Sequence, residues 1–540
     1  MRICGRDIRW TTLDAIVRDK AHEHGDAVFA EVDGAEVSHR ALEERSRRVG
    51  LNLVAAGVAL GDRVATLMFN SAELLLMMFA VPRIGAVWTP INAGLMAQDL
   101  AYTLRDCGAE VLVVDTELAD KLDALPPDLL GTLRIFVAGG EAGRHSRFEE
   151  LERDVPDGEL PETRGRDPAV ILYTGGTTGL PKGVVLTQAS FILAGMRYGE
   201  TFSVKAGERH YTTLPLFHAA AIQFGIMGPL VCGMTTAIDR RFSASSYWAR
   251  VRETGATVVD PIGTMVGLLL AQPVSDRDRE HAVRVGIGIV GQVPPAIPEE
   301  FTRRFGIPLV TIYGLTEAGG AMITGNRLGD DRQGSNGRTH GWAELRIADE
   351  HDTELPAGEV GEILLRPTYP DMFMAGYWNN PAKTLETFRN LWLHTGDLGR
   401  VDPDGFLTFV GRHAHWIRRR GENVSAYEVE DVLSAYAAVE EIVVVGVPSA
   451  YGEDDIKAFV IARSGEPFDP IAFCRWAAER LAPFKLPRYI ELVTELPRSV
   501  TKREIERSKL KGMGHERAFD REAVLGRASS QTKARAREHA

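Results

Sequence analysis

Cysteine is scarce in this chain. Its 540 residues hold four, Cys4, Cys107, Cys232 and Cys474, each standing alone with no CxxC spacing and no histidine cluster beside it. That argues against a disulfide framework or a structural zinc site, and reduced thiols in a cytoplasmic protein are the expectation. Long apolar runs are missing too. The greasiest stretch, Leu74 to Val81, is interrupted by Pro82 and falls far short of the roughly 20 residues that span a bilayer. It reads as a buried helix, with no membrane span. The segment Met1 to Trp10 lacks the apolar centre of a signal peptide. Basic charge is not in excess: the formal net charge is -12, which argues against a nucleic-acid partner. No internal repeat and no low-complexity block breaks the chain.

What is present is ample apolar material, 44% of residues, enough for a sizeable core. Arg63–Met68 reads as a strand before the helix around Leu74–Val81, Val111–Val114 as a strand after a helix near Leu100–Cys107, and Ala169–Tyr173 as a strand leading into a glycine-rich loop. This alternation predicts α/β layers. The pattern changes near Asp397. A short strand, Gly405–Val410, precedes the basic residues Arg412 and Arg418–Arg420. A compact series follows: helix Tyr427–Tyr436, strands Glu441–Val447 and Ile456–Ile461, helix Pro470–Leu481 and strand Ile490–Val493. The expected fold is therefore a large N-terminal α/β body with a small α+β C-terminal domain. Its boundaries are placed at 1–411 for the body, 416–511 for the small domain and 512–540 for a charged, disordered tail.

The strongest local signal is Thr174-Gly175-Gly176-Thr177-Thr178-Gly179-Leu180-Pro181-Lys182-Gly183. Its glycines let the backbone approach a ligand closely, and successive backbone N–H groups in such a loop form an anion nest. Threonine hydroxyls and a lysine add donors for phosphate oxygens. A mere linker would lack the preceding strand and the lysine. The loop is not that of P-loop NTPases, because Gly183 follows Lys182 where a magnesium-binding hydroxyl would stand.

Tyr173–Gly183 resembles the signature loop of the AMP-forming superfamily of acyl-CoA synthetases, adenylation domains and luciferases, with glycine at 176 where serine is usual. Tyr313-Gly314-Leu315-Thr316-Glu317 resembles that family's YGxTE motif, and Thr395-Gly396-Asp397 its TGD motif. Gly411-Arg412, Arg420–Val424 and Glu428-Val429-Glu430 resemble the opening of its C-terminal domain. The resemblance spans about residues 10 to 510, and the arginine-rich Arg418–Glu422 segment looks most like carnitine/crotonobetaine-type acid–CoA ligases.

The resemblance implies an enzyme using ATP and Mg2+, in which an oxyanion attacks the α-phosphate and pyrophosphate leaves. Charge gathers on the phosphates, so the site must supply preorganised positive potential. Loop 174–183, through Thr174, Gly175, Gly176, Thr177, Thr178, Gly179 and Lys182, would hold the departing phosphates. Glu317 would bind the metal, since hard cations prefer carboxylate oxygen. Thr316 would bond the α-phosphate, Asp397 the ribose hydroxyls, and Arg412 ribose or phosphate. Tyr313, with Gly314 behind it, would stack on adenine near Gly291 and Gln292. Phe217, His218, Gln223, Asp260, Ile262, Met265 and Gly291 would border the acid pocket. Asp260 has two readings: a turn acid before Pro261, or a partner for an amine, quaternary ammonium or phenol on the substrate. The resemblance also makes the small C-terminal domain mobile about a hinge at 412–415, and Gly421, Glu422 and Asn423 would lie at a CoA tunnel after it rotates.

The chain also departs from the pattern. A lysine that bridges carboxylate and α-phosphate is expected near the C-terminus, but the chain reads Leu496-Pro497-Arg498-Ser499-Val500-Thr501-Lys502-Arg503-Glu504-Ile505. Lys502 is the candidate, displaced by one or two places; Arg503 or Glu504 takes the position in other alignments. Arg is no neutral swap for Lys. Ala414-His415 replaces the Lys-Asp common at the hinge, and Thr187-Gln188 replaces Thr-His. Three functions remain open. In the first, a small carboxylic acid passes through an acyl-adenylate to a CoA thioester. In the second, an ATP-dependent diazotase adenylates nitrite and passes it to an aryl amine in natural-product biosynthesis. The third is a non-catalytic nucleotide-binding homologue. The expected partner is a small-molecule acid, and the chain would be a monomer or homodimer.

Overall fold

Strands whose side chains alternate between two apolar cores build the body of the protein. The computed structural model describes the chain except for residues 1, 4–5, 96, 155–157, 175–180, 263, 291–295, 330–331, 333, 413–415, 420–421, 450–453, 482–484, 499–504 and 526–540. One eight-stranded sheet runs in the order Gly376–Tyr377, Lys182–Thr187, Pro168–Thr174, Val87–Ile91, Arg63–Leu67, Val111–Asp115, Arg134–Ala138, Ser146–Arg147. In it Val64, Val111, Val113 and Phe136 face one core while Ala65, Leu67, Leu112, Val114 and Val137 face another. A sheet covered on both faces needs apolar residues at every position, which is why these strands read as continuous greasy runs.

A second eight-stranded sheet orders Gly320–Gly325, Leu309–Leu315, Val285–Val290, Val258–Val259, Arg209–Thr212, Thr235–Ile238, Val28–Val32 and Ala35–Ser38. Its central pairings are parallel, including His210 with Val258 and Gly286 with Leu309. Helix Ala72–Arg83 lies in the core shared with the first sheet, buried at every residue but Glu73. Ser71 caps its first turn, its hydroxyl accepting from Leu74 N at 3.2 Å. Pro82, taken from the sequence as an interruption, instead sits inside the last turn. There its carbonyl accepts from the Gln188 side chain at 3.0 Å. Gln188 also accepts from Leu13 N at 2.9 Å, so the Thr187-Gln188 departure serves packing between helices.

Contacts divide the chain into a larger unit, Met1–Glu359, Ile363–Thr395 and Arg400–Phe409, and a smaller one, Val360–Glu362, Gly396–Gly399 and Val410–Ala540. The smaller unit holds a four-stranded sheet ordered Val439–Pro448, Asp454–Ala462, Tyr489–Leu492, Phe519–Asp520. Val444, Ile456 and Val460 face one apolar cluster, and Val443, Val445 and Phe459 the other. The segment from 512, expected to be disordered, is corrected here as far as residue 525. Phe519 and Asp520 pair antiparallel with Ile490 and Tyr489, and helix Arg521–Leu525 follows. Ion pairs join apolar contacts in holding this segment: Arg488 reaches Asp520 at 3.1 Å and Asp455 at 2.8 Å, while Phe519 and Ala518 pack against the two apolar clusters. That is why its composition looked like that of a tail.

Candidate functional site

The glycine-rich loop is closed at its base by an antiparallel pair, Thr174 opposite Lys182 and Tyr173 opposite Gly183. Residues Gly175, Gly176, Thr177, Thr178 and Gly179 themselves lie outside the described residues. The Tyr173 hydroxyl donates to Asp106 Oδ2 at 2.6 Å and fixes the end of the first strand. Gly183 must be glycine on packing grounds, since a Cβ there would lie 2.6 Å from Ile171 Cγ2 and 3.2 Å from Trp378 Cβ. That close approach lets the short strand Gly376–Tyr377 pair beside Lys182–Thr187, with Val184 opposite Tyr377.

Tyr377 then ties the loop to the YGxTE motif. Its hydroxyl donates to Glu317 Oε1 at 2.8 Å, and Lys182 Nζ stands 5.4 Å from its ring centre. Burial pushes the Tyr377 pKa up, and the Glu317 carboxylate adds to the shift, so the phenol keeps its proton and remains a donor. Glu317 sits in the single turn Thr316–Ala318, and its carbonyl accepts from Met374 N at 2.9 Å. Thr316 and Glu317 are both half-buried. Gly319 ends the turn with φ +73°, where a Cβ would fall 1.8 Å from Met372 O; only glycine fits. Thr174, Lys182, Thr316 and Glu317 thus lie on neighbouring elements of the larger unit. Tyr377, which sequence reasoning missed, is the link. Tyr377→Phe should lower kcat for AMP formation about tenfold with little change in melting temperature, because it frees the carboxylate without removing it. Steady-state kinetics of pyrophosphate release check this, and an unchanged kcat would show that Glu317 needs no such orientation.

Tyr313 is buried and its ring stacks on Phe409, with centres 5.6 Å apart. Gly314 packs so closely that a Cβ would meet Ala321 O at 2.4 Å. Phe217 and His218 stand side by side, half-buried, with ring centres 4.8 Å apart. Gln223 lies in a π-helical stretch, Ala221–Met227, a geometry that gathers at functional sites. Its amide is fully buried and bridges elements: it donates to Ala194 O at 3.1 Å and accepts from Met322 N at 3.0 Å. Met265 is buried and Ile262 partly so.

Asp260 is completely buried just after strand Val258–Val259, at the carboxyl edge of the parallel strands. His210 Nε2 lies 3.2 Å from Asp260 Oδ2, and His210 Nδ1 shares a 2.9 Å hydrogen bond with the Tyr198 hydroxyl. His210, unforeseen from sequence, thus gives the acid a protein partner. Burial raises the Asp260 pKa and His210 opposes the rise. A carboxyl whose folded pKa exceeds its unfolded one binds more protons when folded, so its contribution to stability is lost as pH rises from the ordinary carboxylate range through that shifted value. Asp260→Asn should therefore gain on the native protein as pH rises from the ordinary carboxylate range, when melting temperatures are compared in steps from pH 4.5 to pH 8.5. A gain that shrinks as pH rises would show that burial does not govern the Asp260 carboxyl.

Asp397 is buried in the strand Leu393–Val401, in the segment Gly396–Gly399 that groups with the smaller unit. Gly396 before it has φ +68°, and its N–H donates to Glu362 Oε1 at 3.0 Å. Arg412 ends the strand Leu407–Arg412, and Glu422 and Asn423 begin Glu422–Ser425, placed by backbone alone. Arg419 is buried among Asp455 and Glu522, at 3.4 and 3.0 Å, so one arginine of the basic segment holds the small unit together. Glu430 receives a two-pronged pair from Arg507, at 2.5 and 2.7 Å. Gly291, Gln292, Gly421, Lys502, Arg503 and Glu504 lie outside the described residues. The flanking Arg498 and Ile505 pair as an antiparallel bridge.

The chain belongs to the AMP-binding enzyme family: residues 17–378 match that family, and residues 428–503 match the AMP-binding enzyme C-terminal domain. It is an ATP-dependent, AMP-forming ligase that activates an acid. It is 31% identical over 516 residues to a crotonobetaine/carnitine–CoA ligase of Salmonella enteritidis PT4, covering 93% of this chain and 99% of the relative. A Citrobacter koseri enzyme of the same description is 33% identical over 521 residues, covering 93% and 99%. Among solved structures, the anthranilate CoA ligase AuaEII in complex with anthranoyl-AMP matches at TM-score 0.83 and 27% identity, over 94% of this chain and 98% of that one. A benzoate CoA ligase from Burkholderia xenovorans LB400 matches at TM-score 0.80 and 27% identity, over 93% and 99%. Among the described residues no helix is long and apolar enough to cross a membrane.

Proposed function

We propose that this protein is an acid–CoA ligase that converts a small carboxylic acid to its acyl-adenylate and then to a CoA thioester in the cytoplasm. The observation that carries the reading is the tether of Glu317 by Tyr377 beside Lys182, which sets a carboxylate and a cation at the base of the phosphate loop. In the first half-reaction a carboxylate oxygen bonds to the α-phosphorus of ATP and the bond to pyrophosphate breaks. Lys182, Thr174 and the loop N–H groups hold the departing charge, and the Thr316 hydroxyl steadies the α-phosphate. Asp397 and Arg412 hold the ribose and Tyr313 the adenine. In the second half-reaction the CoA thiol loses its proton, its sulfur bonds to the acyl carbon and AMP leaves, with Gly421, Glu422 and Asn423 along the thiol's path.

The donor set fits Mg2+. Glu317 is a hard oxygen ligand with one oxygen engaged by Tyr377, and no cluster of three or more metal-binding side chains occurs among the described residues. Mg2+ is commonly held by one or two carboxylates together with substrate phosphates; when bound it would neutralise phosphate charge. Relatives that act on crotonobetaine, carnitine, anthranilate and benzoate support a small acid. The test is product mass after incubation with ATP, Mg2+ and a panel of acids that includes amino-substituted aryl acids, with either CoA or nitrite. A thioester with AMP release is expected. A diazo product that requires nitrite and an aryl amine would overturn the reading in favour of a diazotase.

A further inference from the structure

Three of the largest fully buried side chains are arginines, Arg83, Arg197 and Arg419. Two are neutralised by carboxylates. Arg83 meets Asp14 at 2.7 Å and Glu43 at 2.9 Å, and Arg419 meets Asp455 and Glu522 at 3.4 and 3.0 Å. Arg197 has no such partner. It donates from Nη2 to Gly319 O at 2.6 Å, while its Nε and Nη1 reach no hydrogen-bond partner. No carboxylate of a described residue pairs with it. Burial pushes its pKa down, to about 9, which still leaves a cation at neutral pH. An uncompensated buried charge is strongly unfavourable, and an apolar side chain of similar volume would be easier to bury. Its neighbours on the helix Gln188–Phe202, Phe191, Ile192, Leu193 and Tyr198, show that the surroundings accept such residues.

The place of this cation gives it a use. Arg197 grips the carbonyl of Gly319, just past Glu317 in the chain. It also lies against Gly320, where a Cβ would stand 3.1 Å from Arg197 Nη2 and 2.6 Å from Gln223 Oε1. The Gln223 amide is committed to Ala194 and Met322 and leaves the guanidinium unmatched. The cation therefore sits behind the metal-binding turn, beside the residues assigned to the acid pocket, with donors to spare. A planar guanidinium suits a carboxylate.

We infer that Arg197 is a specificity-determining residue that holds a second carboxylate of the substrate, so that the chain activates a dicarboxylic acid in preference to its monocarboxylic counterpart. The inference rests on the acid-activation reading. The experiment compares the native protein with Arg197→Met and Arg197→Lys, using two matched pairs: propionate with succinate, and benzoate with isophthalate. In the native protein at least one diacid should raise the melting temperature more than its monoacid, and Arg197→Met should abolish that increment. In ATP–pyrophosphate exchange kcat/KM for that diacid should fall on the order of 100-fold in Arg197→Met, with KM for ATP unchanged and part of the loss recovered in Arg197→Lys. The ligand-free melting temperature of Arg197→Met should stay level or rise, because a buried charge has been removed. An equal loss for mono- and diacids, a fall in that melting temperature, or the absence of any diacid increment in the native protein overturns the assignment. Exchange that is silent with all acids while the diacid increment persists would instead overturn the acid–CoA ligase reading and leave Arg197 as an anion site.

Discussion

Glu317→Gln is expected to reduce AMP formation by about three orders of magnitude, equivalent to about 4 kcal/mol of transition-state stabilisation. The substitution keeps the volume and still offers Tyr377 an oxygen at the position now 2.8 Å away. It removes only the negative charge and the hard anionic ligand. Neither the turn Thr316–Ala318 nor the glycine at 319 that closes it is disturbed, so the melting temperature should move little. On the proposed role of Glu317 as the metal ligand, the lost interaction belongs to the reacting complex, so kcat should carry most of the loss and KM for the acid should carry little. Single-turnover measurement of acyl-adenylate separates this from slow product release. A variant retaining more than a tenth of native kcat would place the metal-binding carboxylate elsewhere.

The largest effect on stability is expected from Asp14→Asn combined with Glu43→Gln. Arg83 has no solvent exposure and stands in the last turn of a helix buried nearly all round. Besides the two carboxylates it bonds the Ser46 hydroxyl at 2.7 Å and the Glu43 carbonyl at 2.9 Å. Neutralising both acids leaves those bonds and strands the charge, at an expected loss of about 3–5 kcal/mol. With two units in one chain the unfolding is not a single transition, so the loss should appear in the transition of the larger unit alone. Adding Arg83→Met should recover much of the stability, since the stranded charge is then gone. No recovery would trace the loss to helix packing and not to charge. The contrast with Arg197, whose removal is expected to relieve the free protein, is what makes the two arginines informative together.

Much of this arrangement is legible in the chain, and the rest is hidden for identifiable reasons. Loop 174–183 and Glu317 are local motifs: glycines, hydroxyls and a carboxylate at fixed spacing declare themselves without a fold. Tyr377 does not, because its strand is two residues long and meets Glu317 only after pairing with Lys182–Thr187. His210 reads as one polar residue in a strand; its link to Asp260 depends on the parallel register of His210 with Val258, which no local pattern encodes. Arg197 left a trace, a charge inside the apolar helix around Phe191–Phe202, but a charge on a helix is ordinarily solvated, and only burial makes it unusual. The segment 512–525 was misread because its order comes in part from ion pairs, which composition cannot tell from a solvated tail.

The late strand Phe519–Asp520 bears on how the chain is synthesised. It is the outer member of the small unit's sheet, and it brings with it Glu522, a carboxylate that pairs with Arg419. Until it leaves the ribosome, Tyr489–Leu492 is an open edge and Arg419 lacks the Glu522 carboxylate. The larger unit, earlier in sequence, can meanwhile fold ahead of it. A nascent chain that stalls or is clipped before residue 519 would thus carry a folded body joined to a domain with an unpaired strand, the kind of surface that invites aggregation. The cell's quality control would meet such a chain as a misfolded one, although the loop and Glu317 are intact.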